Sequence, residues 1–328
     1  MKMIDTCVCV TNDVKLRRMV RRTLQATGTQ VTFADSCDDL SNLSKLHPAI
    51  IIVDQQSADT DAVTKLMASV TWPANLLLVG NWERWEEGLN LLYQEQCDNL
   101  LCREAPLEED ELVVTSIKLL SHDIFGLEKY LTWGTVAHEA TIATYDEKRA
   151  AVQKIADFAQ SVGIRRHAIS RIEVVADELL MNALYDAPVL AQGASRADLM
   201  KRAIPGGGAV GSESVLLRYA CDGRFLALSV QDSYGQLRKN KVLDQLVRAS
   251  EEKGQPLRDP NLGAGLGLYF VMQSVSRFVA NVKPGETTEV ICLFDLRKNA
   301  KDPYYDAHSL HIFTIDPDED AEAMVSTV

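Results

Sequence analysis

Through residue 122 the apolar positions fall in short runs separated by longer stretches of helical period. The runs are "CVCV" at 7–10, "QVTFA" at 30–34, "AIIIV" at 49–53, "NLLLV" at 75–79 and "NLLC" at 99–102, and each reads as a strand. Between the first two, Leu16, Met19, Val20 and Leu24 recur at intervals of three and four, which puts them on one helix face. The order βαβαβαβαβ predicts an α/β fold with a doubly wound five-stranded parallel sheet.

From about residue 134 the pattern changes. "GTVAHEATI" alternates like a strand, and Val152, Ile155, Ala159 and Val162 form a helical stripe. "HAISRIEVVADELLMNALYDAP" is a second helix, with Ile172, Val175, Leu179 and Ala183 on one face and Pro188 as the expected stop. Two strands joined at Asp222-Gly223 form a hairpin, and a polar loop and helix lead to "GAGLGLYF". The alternating strand "TTEVICLFDL" closes the region, which predicts an α/β sandwich with a mixed sheet. A chain of 328 residues exceeds one ordinary core. We therefore divide it into a first domain at 1–122, a linker at 123–133, a second domain at 134–300 and an acidic tail at 301–328.

Composition narrows the function classes. With 34 Lys+Arg against 46 Asp+Glu, the net charge of -12 argues against direct binding of nucleic acid or anionic lipid. No stretch approaches the roughly 20 apolar residues of a membrane helix, so a cytoplasmic, membrane-free protein is expected. The seven cysteines form no CxxC pair and read as reduced, mostly buried thiols.

In doubly wound sheets chemistry gathers beyond the carboxyl ends of the strands. Asn12 and Asp13 follow the first run, Asp54 the third, Gly80 the fourth and Arg103 the fifth. An Asp directly after a buried "AIIIV" run resembles the phosphoacceptor of a response-regulator receiver domain, and the resemblance covers residues 1 to 122. It implies Asp54 as phosphoacceptor with Asp13 beside it. The family uses two acids after the first strand, a Ser or Thr after the fourth and a Lys after the fifth. The substitutions by Asn12, Gly80 and Arg103 favour a pseudo-receiver used for docking over a working phospho-switch.

The second domain carries a denser constellation. Glu178 and Asn182 are four apart on the second helix and so share a face. "DSYG" follows the hairpin and "NLGAGLGLYF" precedes the last strands. In this order the pieces resemble the GHKL, or Bergerat-fold, ATPases, nearest to the anti-sigma-factor kinase and histidine-kinase-like branch. "DELLMNA" looks like the N box, which implies Glu178 as catalytic base and Asn182 as the residue coordinating Mg²⁺. "DSYG" looks like the G1 box, which implies that Asp232 binds the adenine amino group, with Gly235 in the turn. "GAGLGL" looks like the G2 box, whose Gly263, Gly265 and Gly267 admit phosphates, and Thr288 falls where the family places a threonine near adenine.

A Rossmann cradle requires G-x-G-x-x-G, and the sixth position here is Leu268. His138 lies in a strand-like segment only forty residues before Glu178, so it is read as structural rather than as a histidine-kinase phosphoacceptor. Leu237 replaces the second G1 glycine, Tyr185 stands where kinase members carry a basic residue, and "IPGGGAVG" reads as a mobile loop. The resemblances imply a bacterial signalling regulator that binds ATP and Mg²⁺. It would act as a protein serine/threonine kinase or anti-sigma-like regulator on a sigma factor, an anti-anti-sigma-like protein or another signalling protein, and a homodimer is compatible. The alternatives are an inactive sequestration module and a histidine-kinase-like protein.

Overall fold

The computed structural model describes residues 5–39, 43–81, 85–94, 97–103, 109–193, 204–206, 214–251, 266–297 and 308–315. The chain divides into two compact units, residues 1–124 with 306–313, and 125–305 with 314–328.

The first unit is built on β1 (Thr6–Val10), β2 (Gln30–Ala34), β3 (Ile50–Asp54), β4 (Asn75–Asn81) and β5 (Cys97–Arg103). They pair in parallel in the order β2-β1-β3-β4-β5, the doubly wound order of receiver-type folds. All five residues of β3 are buried, as expected of a central strand covered on both faces. The connecting helices are α1 (Val14–Ala26), α2 (Leu43–Leu46), α3 (Thr60–Ser69) and α4 (Trp85–Leu92), followed by α5 (Glu109–Ser121). The stripe Leu16, Met19, Val20 and Leu24 is buried on α1, against Cys7, Cys9, Ile50, Ile52 and Leu112.

The second unit opens with β6 (His138–Ile142), α6 (Tyr145–Ser161) and α7 (Arg166–Met181). α6 begins at a capping box made by Thr144 and Glu147. Ile155 and Ala159 of the expected stripe are buried, together with Lys148, Ala151 and Ala156, whereas Val152 is half-buried and Val162 exposed. Next come β7 (Val215–Cys221), β8 (Phe225–Asp232), α9 (Lys239–Glu251), α10 (Leu266–Ser274), β9 (Arg277–Lys283) and β10 (Thr287–Asp295). The order β9-β10-β8-β7-β6 is joined by antiparallel pairings. At the hairpin, Asp222 Oδ1 accepts from the N–H groups of Arg224 and Phe225, and Gly223 takes a positive φ of 90°. Glu289, buried on β10, accepts from Gly126 N–H, Ser229 and Asn281, tying the segment that enters this unit to its sheet.

Two expectations are corrected. Pro188 does not stop the second helix. After Met181 the chain makes one wide π turn over Asn182–Asp186, with Ala187 N–H bonded to Asn182 O. It then continues as α8 (Ala187–Gln192) to a left-handed Gly193, with Pro188 in the first turn of α8. A proline in a first turn removes no needed donor, so the helical path survives it.

The other correction concerns the tail. Within 301–328, residues Ser309–Thr314 form β11, antiparallel on β5 with Leu310 opposite Leu100 and His311 opposite Asn99. Leu310, Ile312 and Phe313 are buried, and the His311 ring lies between Asn99 Oδ1 at 3.1 Å and Glu111 Oε1 at 3.0 Å. The acids that dominate the tail's composition come after Ile315, outside the described residues.

Candidate functional site

In the first unit the strand-end residues gather at the β1/β3 switch point but saturate one another. Asp54 is fully buried, Thr11 Oγ1 donates to its Oδ2 at 2.8 Å, and Gln56 N–H donates to its Oδ1 at 3.1 Å. Burial raises its carboxyl above the ordinary range, against the pull of these bonds. Asn12 N–H donates to Ser57 Oγ at 2.9 Å, and that hydroxyl donates to Asn12 Oδ1 at 3.1 Å. Asp13 accepts from Lys15 and Leu16 N–H and so serves as the N-cap of α1. At Gly80 a Cβ would come within 2.6 Å of Gln55 Oε1 and 2.8 Å of Leu100, so a Ser or Thr has no room in this packing. Arg103 ends β5, and its side chain lies outside the described residues.

The second unit brings its candidates together. Asn182, Asp232 and Thr288 line one cavity of about 90 Å³, walled on its apolar sides by Leu179, Val230 and Phe278. Three elements supply them. Asn182 starts the π turn after α7, Asp232 ends β8, and Thr288 faces Asp232 directly across the β10–β8 register. The volume lies below the roughly 300–1,000 Å³ of ordinary ligand sites. It therefore suits one ring system rather than a whole nucleotide.

Asp232 is the electrostatic centre of the cavity. Burial pushes its carboxyl up to about 6, although the N–H groups of Tyr234, Gly235 and Thr288 all donate to it. The Tyr234 bond is 2.8 Å long. Beside it Thr288 Oγ1 is buried and has no hydrogen-bond partner among the described residues. A buried hydroxyl and an under-compensated carboxylate facing one cavity are suited to a ligand edge carrying both a donor and an acceptor. Gly235 is fixed by the turn: its φ is 59°, and a Cβ would meet Lys283 O and come within 2.6 Å of the Glu286 and Gly285 nitrogens.

Glu178 lies one turn before Asn182 on α7, and its carboxylate packs against Gly267 in the first turn of α10. A Cβ on Gly267 would overlap that carboxylate. The end of α7 and the start of α10 therefore touch at this glycine. Gly263 and Gly265 lie outside the described residues, as does all of "IPGGGAVG" except Ile204–Gly206.

Several neighbours are not apparent from the sequence. Leu237, Lys241 and Gln245, spaced four apart, line the cavity. That spacing was the available signal, masked by the polar composition of the segment. Tyr185 is buried, and burial raises its phenol above the ordinary range, with Tyr145 and Asp177 adding to the effect. On α6, buried Lys148 pairs with Asp177, the residue before Glu178. His138 packs against Phe158 and Tyr219, with ring centroids 4.9 Å and 5.1 Å away, a packing role for this histidine. None of the seven cysteines is joined in a disulfide, and burial raises the thiols of Cys7, Cys9 and Cys292. Among the described residues no helix is long and apolar enough to cross a membrane.

No family model matches the sequence, and no curated protein sequence matches it. Solved structures with a similar fold include a response regulator from Thermotoga maritima, at 12% identity over 36% of this chain and 99% of that one, with a TM-score of 0.30. The SiaB–SiaC complex from Pseudomonas aeruginosa matches at 9% identity over 56% of this chain and 97% of that one, with a TM-score of 0.31. The Legionella pneumophila response regulator LqsR matches at 9% identity over 99% of this chain and 94% of that one, with a TM-score of 0.30. The receiver-like character of the first unit rests on its strand order.

Proposed function

We propose that the second unit binds Mg·ATP in the manner of a GHKL domain and that the protein is a signalling regulator, a serine/threonine kinase or anti-sigma-like factor, carrying a receiver-like first unit. The observation that carries this reading is the convergence of Asn182, Asp232 and Thr288 on one cavity, with the Thr288 hydroxyl unsatisfied. In it Asp232 would accept from the adenine amino group while Thr288 would contact the ring edge. Asn182 would hold Mg²⁺. Glu178, at the contact with α10, would take the proton from the attacking hydroxyl. The metal, when bound, would neutralise charge developing on the transferred phosphoryl group.

Saturation of Asp54, Asn12 and Asp13 by their own neighbours supports a docking role for the first unit rather than a phospho-switch. A second reading, sequestration of a partner protein without chemistry, is favoured by two features. Leu237 lines the cavity where the family has a glycine, and Tyr185 is buried where kinases carry a base. Calorimetry with ATP and Mg²⁺, followed by radiolabelled phosphotransfer to candidate partner proteins, tests both. Binding lost in Asn182→Ala together with label transfer supports the kinase; binding without transfer supports sequestration. Wild-type binding by Asn182→Ala removes the N-box assignment.

A further inference from the structure

A second cavity, of about 310 Å³, lies at the opposite end of α7, between the start of that helix, the end of α10 and the end of β10. Arg165, His167, Arg171 and Arg297 line it, and among the described residues that line it the one acid is Asp295. That acid is already engaged: Arg297 donates to it through its main-chain N–H at 2.9 Å, Nε at 3.0 Å and Nη2 at 2.6 Å, and its side chain is 3% exposed. A protein of net charge -12 thus holds a cavity of the opposite sign. Gathering like charges is unfavourable unless an anion offsets it.

The remaining wall is apolar. Val162 is 43% exposed and Ile164 and Leu296 are half-buried, and all three line the cavity. Inorganic phosphate would answer the charge and leave these surfaces uncovered, whereas a neutral apolar molecule would do the reverse. The volume sits at the lower edge of ordinary small-molecule sites. Arg171 is pre-oriented, because its Nη2 donates to Gln273 O near the end of α10. A guanidinium held in this way presents a planar fork to a carboxylate or phosphate at little further entropic cost.

We propose that this cavity is a binding site for a small amphipathic anion, a carboxylate or phosphate monoester with an apolar body. The head group meets Arg165, His167 and Arg171, and the body covers Val162, Ile164 and Leu296. This cavity shares no lining residue with the proposed ATP site. Sixteen residues of α7 separate Arg165 from Asn182, about 24 Å of helix, so the two sites can be probed separately.

The test uses the full chain titrated by calorimetry with octyl phosphate, octanoate, octylamine and inorganic phosphate, with hydrogen exchange to locate binding. Saturable binding of octyl phosphate or octanoate is expected, with slowed exchange at 274–276 and 294–297. The tighter of the two identifies the head group. Arg165→Glu, at a position outside the buried core, should weaken binding by about ten-fold or more, the effect expected for a charge-assisted contact. Arg171→Lys keeps the charge and loses the fork, and should weaken it less. No saturable binding by either anion, equal binding of octylamine, inorganic phosphate binding as tightly as octyl phosphate, or wild-type affinity in Arg165→Glu would each overturn the assignment.

Discussion

Asp232→Asn separates the stability of the second unit from its proposed ligand binding, and the two should move in opposite directions. The carboxyl rises from 3.8 to about 6 on folding because burial outweighs the three N–H groups aimed at it. A rise of about two units corresponds to roughly 3 kcal/mol of penalty on the charged form. For an acid raised in the folded state, the native protein binds the extra proton between about pH 4 and 6, so stability falls as pH rises through that window. Above pH 6 the whole penalty is present. An amide of the same shape escapes it, so the variant should exceed wild type by about 1–3 kcal/mol at pH 8, with the difference falling by roughly half at pH 5. Hydrogen exchange of β8 and β10 amides, compared between the two proteins at each pH, reads this directly, and 1.4 kcal/mol is about ten-fold in rate. Calorimetry with Mg·ATP should show affinity reduced by about ten-fold or more, because the amide cannot accept as the carboxylate does. A variant less stable than wild type at pH 8, or a pH-independent difference, would refute the desolvation argument. Undiminished ATP affinity would refute the adenine role.

Three further outcomes follow from specific contacts. Gly267→Ala should destabilise the α7–α10 contact by about 1–3 kcal/mol, an overpacking cost. Adding Glu178→Ala should recover most of that loss, and strict additivity in a thermal double-mutant cycle would show that the two residues do not meet. Acetyl phosphate with Mg²⁺ should leave the intact mass unchanged, since Asp54 is fully buried and held by Thr11; an adduct that disappears in Asp54→Asn would reverse this. His311→Leu should cost about 2–4 kcal/mol by stranding Asn99 and Glu111, seen as faster exchange in β5 and β11, and unchanged protection there would rule out a holding role for the ring.

Legibility in the sequence depended on the range of the interaction. The five parallel strands read clearly because central buried strands must be continuous apolar runs, as Ile50–Val53 and Leu76–Val79 are. That Glu178 and Asn182 lie one turn apart was legible because four residues make about one helical turn. What failed was decided by partners far away in sequence. β11 is strand because Leu310 and His311 meet Leu100 and Asn99, some two hundred residues earlier, and nothing local announces that. On α6 the stripe held at Ile155 and Ala159 but not at Val162, and the face also takes in Lys148, a residue normally assigned to solvent, buried against Asp177. Pro188 misled because its rule holds for helix interiors, and the π turn before it starts a new first turn.

The two strand-end sites differ in how far their buried polar groups are satisfied by the protein itself. Both hold a buried aspartate at the end of a strand with a threonine at hand, and burial raises both carboxyls. In the first unit the hydroxyl of Thr11 is used up on Asp54, and Asn12 and Ser57 close on each other. In the second, Thr288 lies directly opposite Asp232, yet its buried hydroxyl has no hydrogen-bond partner among the described residues. Leaving such a group unmet costs about 1–3 kcal/mol. A fold with no use for the cavity would gain by closing it with an apolar residue, as valine would at position 288. Thr288→Val therefore weighs the two roles: a more stable protein with weakened ATP binding is expected if the unmet hydroxyl serves a ligand. Lower stability with unchanged binding would make Thr288 a structural residue and leave Asp232 without its companion.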